Sequence, residues 1–155
     1  MRGGYVHNKV LIPSVVCHCR AAGAIVLLEH PVQADRRKGA VDLLAQLGPK
    51  RLVMEVENSC RRVCWDVEKA RALGANALII LVPDGRVASA CRREVRRLLA
   101  ASSPQEFCIC ILTLGSVHQW LNKYFRLFST PIETSASKTF FKESQHLLSI
   151  PKDNV

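Results

Sequence analysis

The segment Val53-Met54-Glu55-Val56-Glu57 alternates apolar and acidic residues. On a strand, residues two apart share a face, so Glu55 and Glu57 point one way and Met54 and Val56 the other. Asp42 lies upstream, followed by the apolar pair Leu43-Leu44, and Gly48-Pro49 between the two segments is a strong turn signal. A strand pair turning there brings Asp42 beside Glu55 and Glu57. Three neighbouring carboxylates repel and raise one another's pKa. A hard cation such as Mg²⁺ relieves that repulsion and takes one or two carboxylates together with water and phosphate oxygens. The competing reading of the same spacing is the solvated face of an ordinary edge strand.

The elements that must position these acids follow from periodicity and breakers. Residues 7–22 read as a helix stopped by Gly23, with Pro13 either kinking it or setting a later start. Residues 24–28 form a short apolar strand, 31–39 a polar and basic turn, 40–47 a second strand and 51–57 a third. Short connections make these three an antiparallel meander. Asn58-Ser59 can cap a helix whose Val63, Val67, Ala70 and Gly74 fall on one stripe. The run ALIILV within 76–82 reads as a strand buried on both faces. Residues 86–101 form an amphipathic helix, with Val87, Cys91, Val95 and Leu98 inward and Arg92, Arg93, Arg96 and Arg97 outward. A strand over 107–114 and a helix capped by Ser116, using Val117, Trp120, Leu121, Tyr124 and Phe128, complete the order. Strand-helix-strand steps with apolar strands imply parallel crossovers, hence an α/β three-layer sandwich with a mixed central sheet flanked by helices. This domain spans 1–128. Ser, Thr and Lys then dominate, and 129–155 reads as a weakly ordered tail with a short helix near 140–148.

On the helix after Glu57, the residues Arg62, Asp66 and Lys69 cluster on one flank of the apolar stripe, either as a solvated flank with local ion pairs or bordering the acidic strand. The stretches Gly39-Ala-Val-Asp42-Leu-Leu, Arg51-Leu-Val-Met-Glu55-Val-Glu57, Asp66-Val-Glu-Lys69-Ala and Leu78-Ile-Ile-Leu-Val82 resemble the PD-(D/E)XK nuclease superfamily over about residues 7–115. The resemblance implies a restriction-endonuclease-like fold and metal-dependent phosphodiester hydrolysis. Asp42 matches the acid of the second strand and Glu55 the acid opening the third-strand motif. Glu57 stands where the motif has its lysine. Some members carry that lysine on the following helix, which makes Lys69 its counterpart. Val41 replaces the proline before the first acid, and Glu29, on the first strand, is the nearest candidate for the acid of the first helix. By this resemblance Asp42 and Glu55 bind Mg²⁺ or Mn²⁺, Glu57 completes the acidic cluster, and Lys69 orients the attacking water or offsets transition-state charge. Arg36, Arg37, Lys38 and Arg62 are the candidates for binding nucleic-acid phosphate. Lys69 stands about ten residues into its helix, roughly 15 Å along the axis. It reaches the acids only if that helix folds back along the third strand. Lys69→Ala is expected to keep its fold, and Lys50, at a distant turn, to be dispensable.

The substituted lysine position also fits a catalytically inactive domain of the same fold that binds nucleic acid or scaffolds a complex. Other classes find less support. No GxGxxG or GxxxxGK[ST] loop exists for a Rossmann-like binder, and no GxSxG for a nucleophilic hydrolase. The five histidines show no pattern. The seven cysteines lack paired CxxC spacing, so reduced, buried thiols are expected rather than structural zinc. There is no apolar run long enough to span a membrane and no cleavage site after 10–17, so a cytoplasmic, membrane-free protein is expected. The 22 Lys and Arg outnumber 13 Asp and Glu, a formal charge of +9, which suits a polyanionic partner, DNA first. Binding through such a surface releases condensed counterions. Affinity for both duplex and single-stranded oligonucleotides should therefore fall steeply between low and moderate salt, with little sequence dependence. Two-salt retention assays check this, and failure to bind either at low salt would remove the electrostatic case for nucleic acid.

Overall fold

The computed structural model describes residues 12–101 and 107–129, the last three by backbone only. Its order is α1 (Ile12–Ala21), β1 (Ile25–Ala34), β2 (Arg37–Leu47), β3 (Lys50–Val56), a 3₁₀ turn (Cys60–Arg62), α2 (Val63–Ala72), β4 (Ala77–Val82), α3 (Gly85–Ala100), β5 (Cys108–Thr113) and α4 (Leu114–Ser129). The five strands form one mixed sheet in the order β1-β2-β3-β4-β5. The first three strands are antiparallel neighbours, and β4 runs parallel to both β3 and β5. The domain is the expected α/β three-layer sandwich.

Alternation along the strands builds two cores. Leu52 and Met54 on β3, with Ile79 and Leu81 on β4, pack under α1 and α4 against Val15, Cys19, Val117 and Leu121. Val53, Leu78 and Ile80 pack on the other face against Val63, Val67 and Ala70 of α2 and Ala88, Cys91 and Val95 of α3. Every residue of β4 is buried, as its unbroken apolar run requires. Glu55 shares the Val53 face and therefore points toward α2.

Several boundaries differ from the sequence reading. Of 7–22, only Ile12 onward forms the described helix, and 7–11 lie outside the described residues. The polar stretch 31–39 is strand on both sides of a two-residue turn at Asp35-Arg36, because pairing across the hairpin overrides local polarity. Glu57 follows β3 rather than ending it, although its N–H still bonds the Leu81 carbonyl at 2.9 Å. Helix α3 is capped by Asp84, whose carboxylate accepts from Val87 N–H. Arg92 is not on the outer face. It is half-buried and donates to the Ile111 carbonyl. Ser116 bonds Thr113 from within α4 instead of preceding it. The tail 130–155 lies outside the described residues.

The hairpin β1-β2 turns over midway. Val26 packs with the α1/α4 core and Val32 with the α2/α3 core, although an even spacing would keep them on one face. Glu29, with φ of 48°, lies between them. On β2 the same switch separates Leu43 from Val41. The pairs Leu28–Leu43 and His30–Val41 bracket Glu29 and Asp42, so Asp42 sits where the hairpin crosses from one layer to the other.

Helix α2 ends through a fixed turn. Gly74 adopts φ of 61°, Arg51 Nη1 donates to the Leu73 carbonyl at 2.8 Å, and Arg51 N–H bonds the Asn76 side chain at 2.8 Å. A Cβ in the left-handed region costs about 1–2 kcal/mol. Gly74→Ala should therefore lower the melting temperature by roughly 4 °C. Gly85→Ala, placed in open space without positive φ, should leave it unchanged. Equal melting temperatures for Gly74→Ala and the parent would show that this turn does not set the end of α2.

Candidate functional site

The antiparallel ladder between β2 and β3 runs from Leu47–Lys50 to Leu43–Met54. Beyond it Asp42 supplies a side chain where a strand carbonyl would otherwise stand, and its Oδ2 accepts the Val56 N–H at 2.7 Å. The acids are thus gathered at the end of the ladder. Helix α2 returns alongside β2 and delivers Lys69 to the same place. Its Nζ lies 2.6 Å from Glu55 Oε1 and 3.1 Å from Asp66 Oδ1, and it donates to the Ala40 carbonyl at 3.1 Å. Lys69 therefore meets the acidic strand despite its position along the helix, because the buried stripe Val63, Val67 and Ala70 lays α2 on the sheet.

The cluster is buried, neither the solvated face of an edge strand nor open to solvent. Glu55, Glu57, Asp66 and Lys69 are each at most 6% exposed, and only Asp42 is half-buried. The reason is α2, which covers the acidic face of β3. Asp66, which the sequence places with Lys69 on a flank either solvated or bordering the acidic strand, joins the cluster and is fully buried. Its three-residue spacing from Lys69 was the available signal. Its Oδ2 has no hydrogen-bond partner among the described residues. Glu57 faces Arg62, whose Nε lies 3.8 Å from Glu57 Oε1 and whose own side chain is exposed.

Burial penalises these charges, and their neighbours add to the penalty. Glu55 is pushed up to about 8, chiefly by desolvation and then by Asp66, against the pull of Lys69. Desolvation followed by Asp66 pushes Glu57 up to about 7. Desolvation also raises Asp66, opposed by Lys69. Burial works against the charge on Lys69, but Glu55 and Asp66 outweigh it and hold the ammonium above its ordinary value. One ammonium cannot neutralise two buried carboxylates, so the second charge is relieved by a proton on Glu55 or by a further cation. The donor set is hard carboxylate oxygen, which suits Mg²⁺ or Mn²⁺. No group of three metal-ligating side chains converges among the described residues, so a cation here would rest on one or two carboxylates, Asp42 and Glu55 first, with its remaining ligands from water or phosphate.

The remaining basic candidates border the site. Arg36 lies in the turn at the hairpin tip and Lys38 on β2, both exposed. Arg37 lies over the indole of Trp65 on α2, its Cζ 4.2 Å from the ring centroid. Lys50 opens β3 at the turn opposite Leu47, at the far end of the ladder. Lys69→Ala no longer serves as a fold-neutral change. Removing the ammonium leaves Glu55 and Asp66 buried and unpaired, a cost of about 3–5 kcal/mol.

No family model and no curated protein matches the chain. A similar solved structure is the crystal structure of a protein of unknown function, AF1548, 8% identical, with a TM-score of 0.45, covering 87% of this chain and 95% of that one. No described helix is long and apolar enough to cross a membrane.

The raised carboxylates make stability pH-dependent with a definite sign. A folded-state value above the ordinary 4.5 means that the native state holds a proton the unfolded chain has released. The stability contributed by protonated Glu55 is complete below about 4.5 and is lost as pH rises through about 8. The metal-free parent should melt lower at pH 8 than at pH 5, by at least ~1 kcal/mol or roughly 4 °C. Glu55→Gln should flatten that slope. Melting curves across this range check it, and an identical slope in Glu55→Gln would exclude Glu55 as its source.

Proposed function

We propose that this chain is a metal-dependent nuclease hydrolysing phosphodiester bonds, related to the PD-(D/E)XK superfamily with its lysine supplied by the helix after the motif. The observation that carries the reading is the contact of Lys69 Nζ with Glu55 at 2.6 Å. It unites the acid opening the third-strand motif with an ammonium from α2, and so makes up for Glu57 at the usual lysine position. Asp42 and Glu55 would hold Mg²⁺ or Mn²⁺, which when bound polarises the phosphate and lowers the pKa of the attacking water. Lys69 fixes Glu55 and Asp66, orients that water and offsets charge developing on phosphate. Arg62 stands at the Glu57 side, and Arg36, Arg37 and Lys38 take backbone phosphates at the hairpin tip. DNA is the first substrate to test. A reducing, cytoplasmic setting accords with seven cysteines that are all free thiols.

A second reading, an inactive domain of this fold that binds nucleic acid or scaffolds a complex, is favoured by one observation. Lys69 already ion-pairs both Glu55 and Asp66 inside a covered cluster. Cleavage assays separate the two. With Mg²⁺ or Mn²⁺ the parent should cut DNA or RNA and stop in chelator. Asp42→Asn and Glu55→Gln, which remove charge rather than expose it, should stay folded by circular dichroism and lose at least ~100-fold in rate. Lys50→Ala should match the parent. No cleavage of any nucleic acid with either ion would make the inactive domain the better reading.

A further inference from the structure

We propose that Arg37, seated on Trp65, is a stacking platform for an unpaired base, so that the acidic site acts on single-stranded or frayed nucleic acid. The substrate class rests on the nuclease reading above, whereas the platform itself rests on separate residues. Arg37 is exposed and lies 4.2 Å from the indole centroid. Trp65 is half-buried and closes against β2 at Gly39, where an added Cβ would come within 3.1 Å of Trp65 Cζ2. Glycine at position 39 thus gives the indole its seat. The indole in turn holds the guanidinium by cation–π attraction and leaves it open to solvent.

The platform and the acidic cluster share the same two elements. Trp65 precedes Lys69 by four residues, about 6 Å along α2. Gly39, at the indole, is followed by Ala40, whose carbonyl takes the Lys69 ammonium at 3.1 Å. A base resting on Arg37 therefore holds its strand on the same two elements that enclose the carboxylates. Exposed Arg36 and Lys38 on the hairpin, and exposed Arg61 and Arg62 ahead of α2, supply phosphate contacts around it. Paired bases inside a duplex present edges and phosphates but no free face. Unpaired bases present faces that stack on aromatic rings and guanidinium planes. An ammonium cannot take that role, since lysine carries the charge of arginine without its plane.

The test is binding in chelator, so that affinity is read without cleavage. Labelled single-stranded DNA and RNA and a blunt DNA hairpin are titrated with the parent, Arg37→Lys, Trp65→Ala, Trp65→Phe and Arg36→Ala, each checked for folding by circular dichroism. Arg37→Lys and Trp65→Ala should weaken single-strand binding about tenfold and change hairpin binding less than about twofold. Trp65→Phe should stay near the parent. Arg36→Ala, a loss of charge alone, should weaken both ligands alike. Parent-like single-strand affinity in Arg37→Lys, or equal losses on both ligands, would overturn the platform. If single-strand selectivity follows Arg37 but no metal-dependent cleavage occurs, the nuclease reading fails and the platform stands. If the parent cleaves single strands and duplex alike and Arg37→Lys matches it, the reverse holds.

Discussion

The ammonium of Lys69 is the point on which this architecture turns. It is 1% exposed, lies against Glu55 and Asp66, and donates to the Ala40 carbonyl. Those partners come from three elements, β3, α2 and β2. A charged group is admitted to a protein interior only when its surroundings compensate it, and here the compensation also fixes where α2 lies on the sheet. The same contact sets a limit on the chemistry. Desolvation by burial outweighs the pull of Lys69 on both Glu55 and Asp66, so both are raised instead of lowered by their partner.

The hairpin crossing at Glu29 and Asp42 explains how an acid on β2 enters that group. Had β1 and β2 continued regularly, Val26 and Val32 would share a layer and the β2-β3 ladder would extend past Leu43–Met54. The positive φ at Glu29 turns the strand pair over, and Asp42 then bonds Val56 N–H in place of a ladder carbonyl. A left-handed non-glycine residue costs free energy, so the surrounding pairing and the packing of Val32 and Val41 must hold it. This departure from strand regularity also carries Arg37 across to the α2 side of the sheet, where it meets Trp65.

Much of this was legible in the sequence. The alternation through Glu55, the unbroken run in β4, the stripe of α2 and the stop at Gly74 each have one dominant local cause, and they gave the element order and the three-layer sandwich. The extent of β1 and β2 was not legible, because 31–39 is locally polar and becomes strand only through pairing across a tight turn. Nor could spacing reveal that α2 covers the acids. Whether Glu55 and Glu57 face water or helix depends on a packing choice made by Val63, Val67 and Ala70, far from them in sequence. Trp65 was missed for a related reason. It reads as an ordinary helix residue until β2 is placed beside it.

The charge of the chain is divided by these same contacts. Asp42, Glu55, Glu57 and Asp66 gather behind α2, while Arg36, Arg37, Lys38, Arg61 and Arg62 remain exposed around its N-terminal end and the hairpin tip. A polyanion is drawn to the basic rim and repelled by the acidic interior. Only a phosphate that arrives with a cation, or that meets Glu55 in its protonated form, can approach the carboxylates without that repulsion. The coupling runs both ways. Whatever supplies positive charge to the cluster stabilises the fold, and whatever keeps α2 against β2 keeps the carboxylates together. The basic rim and the order in the interior are therefore two consequences of one helix seated on one hairpin, with Gly39 and Ala40 as the shared contact line.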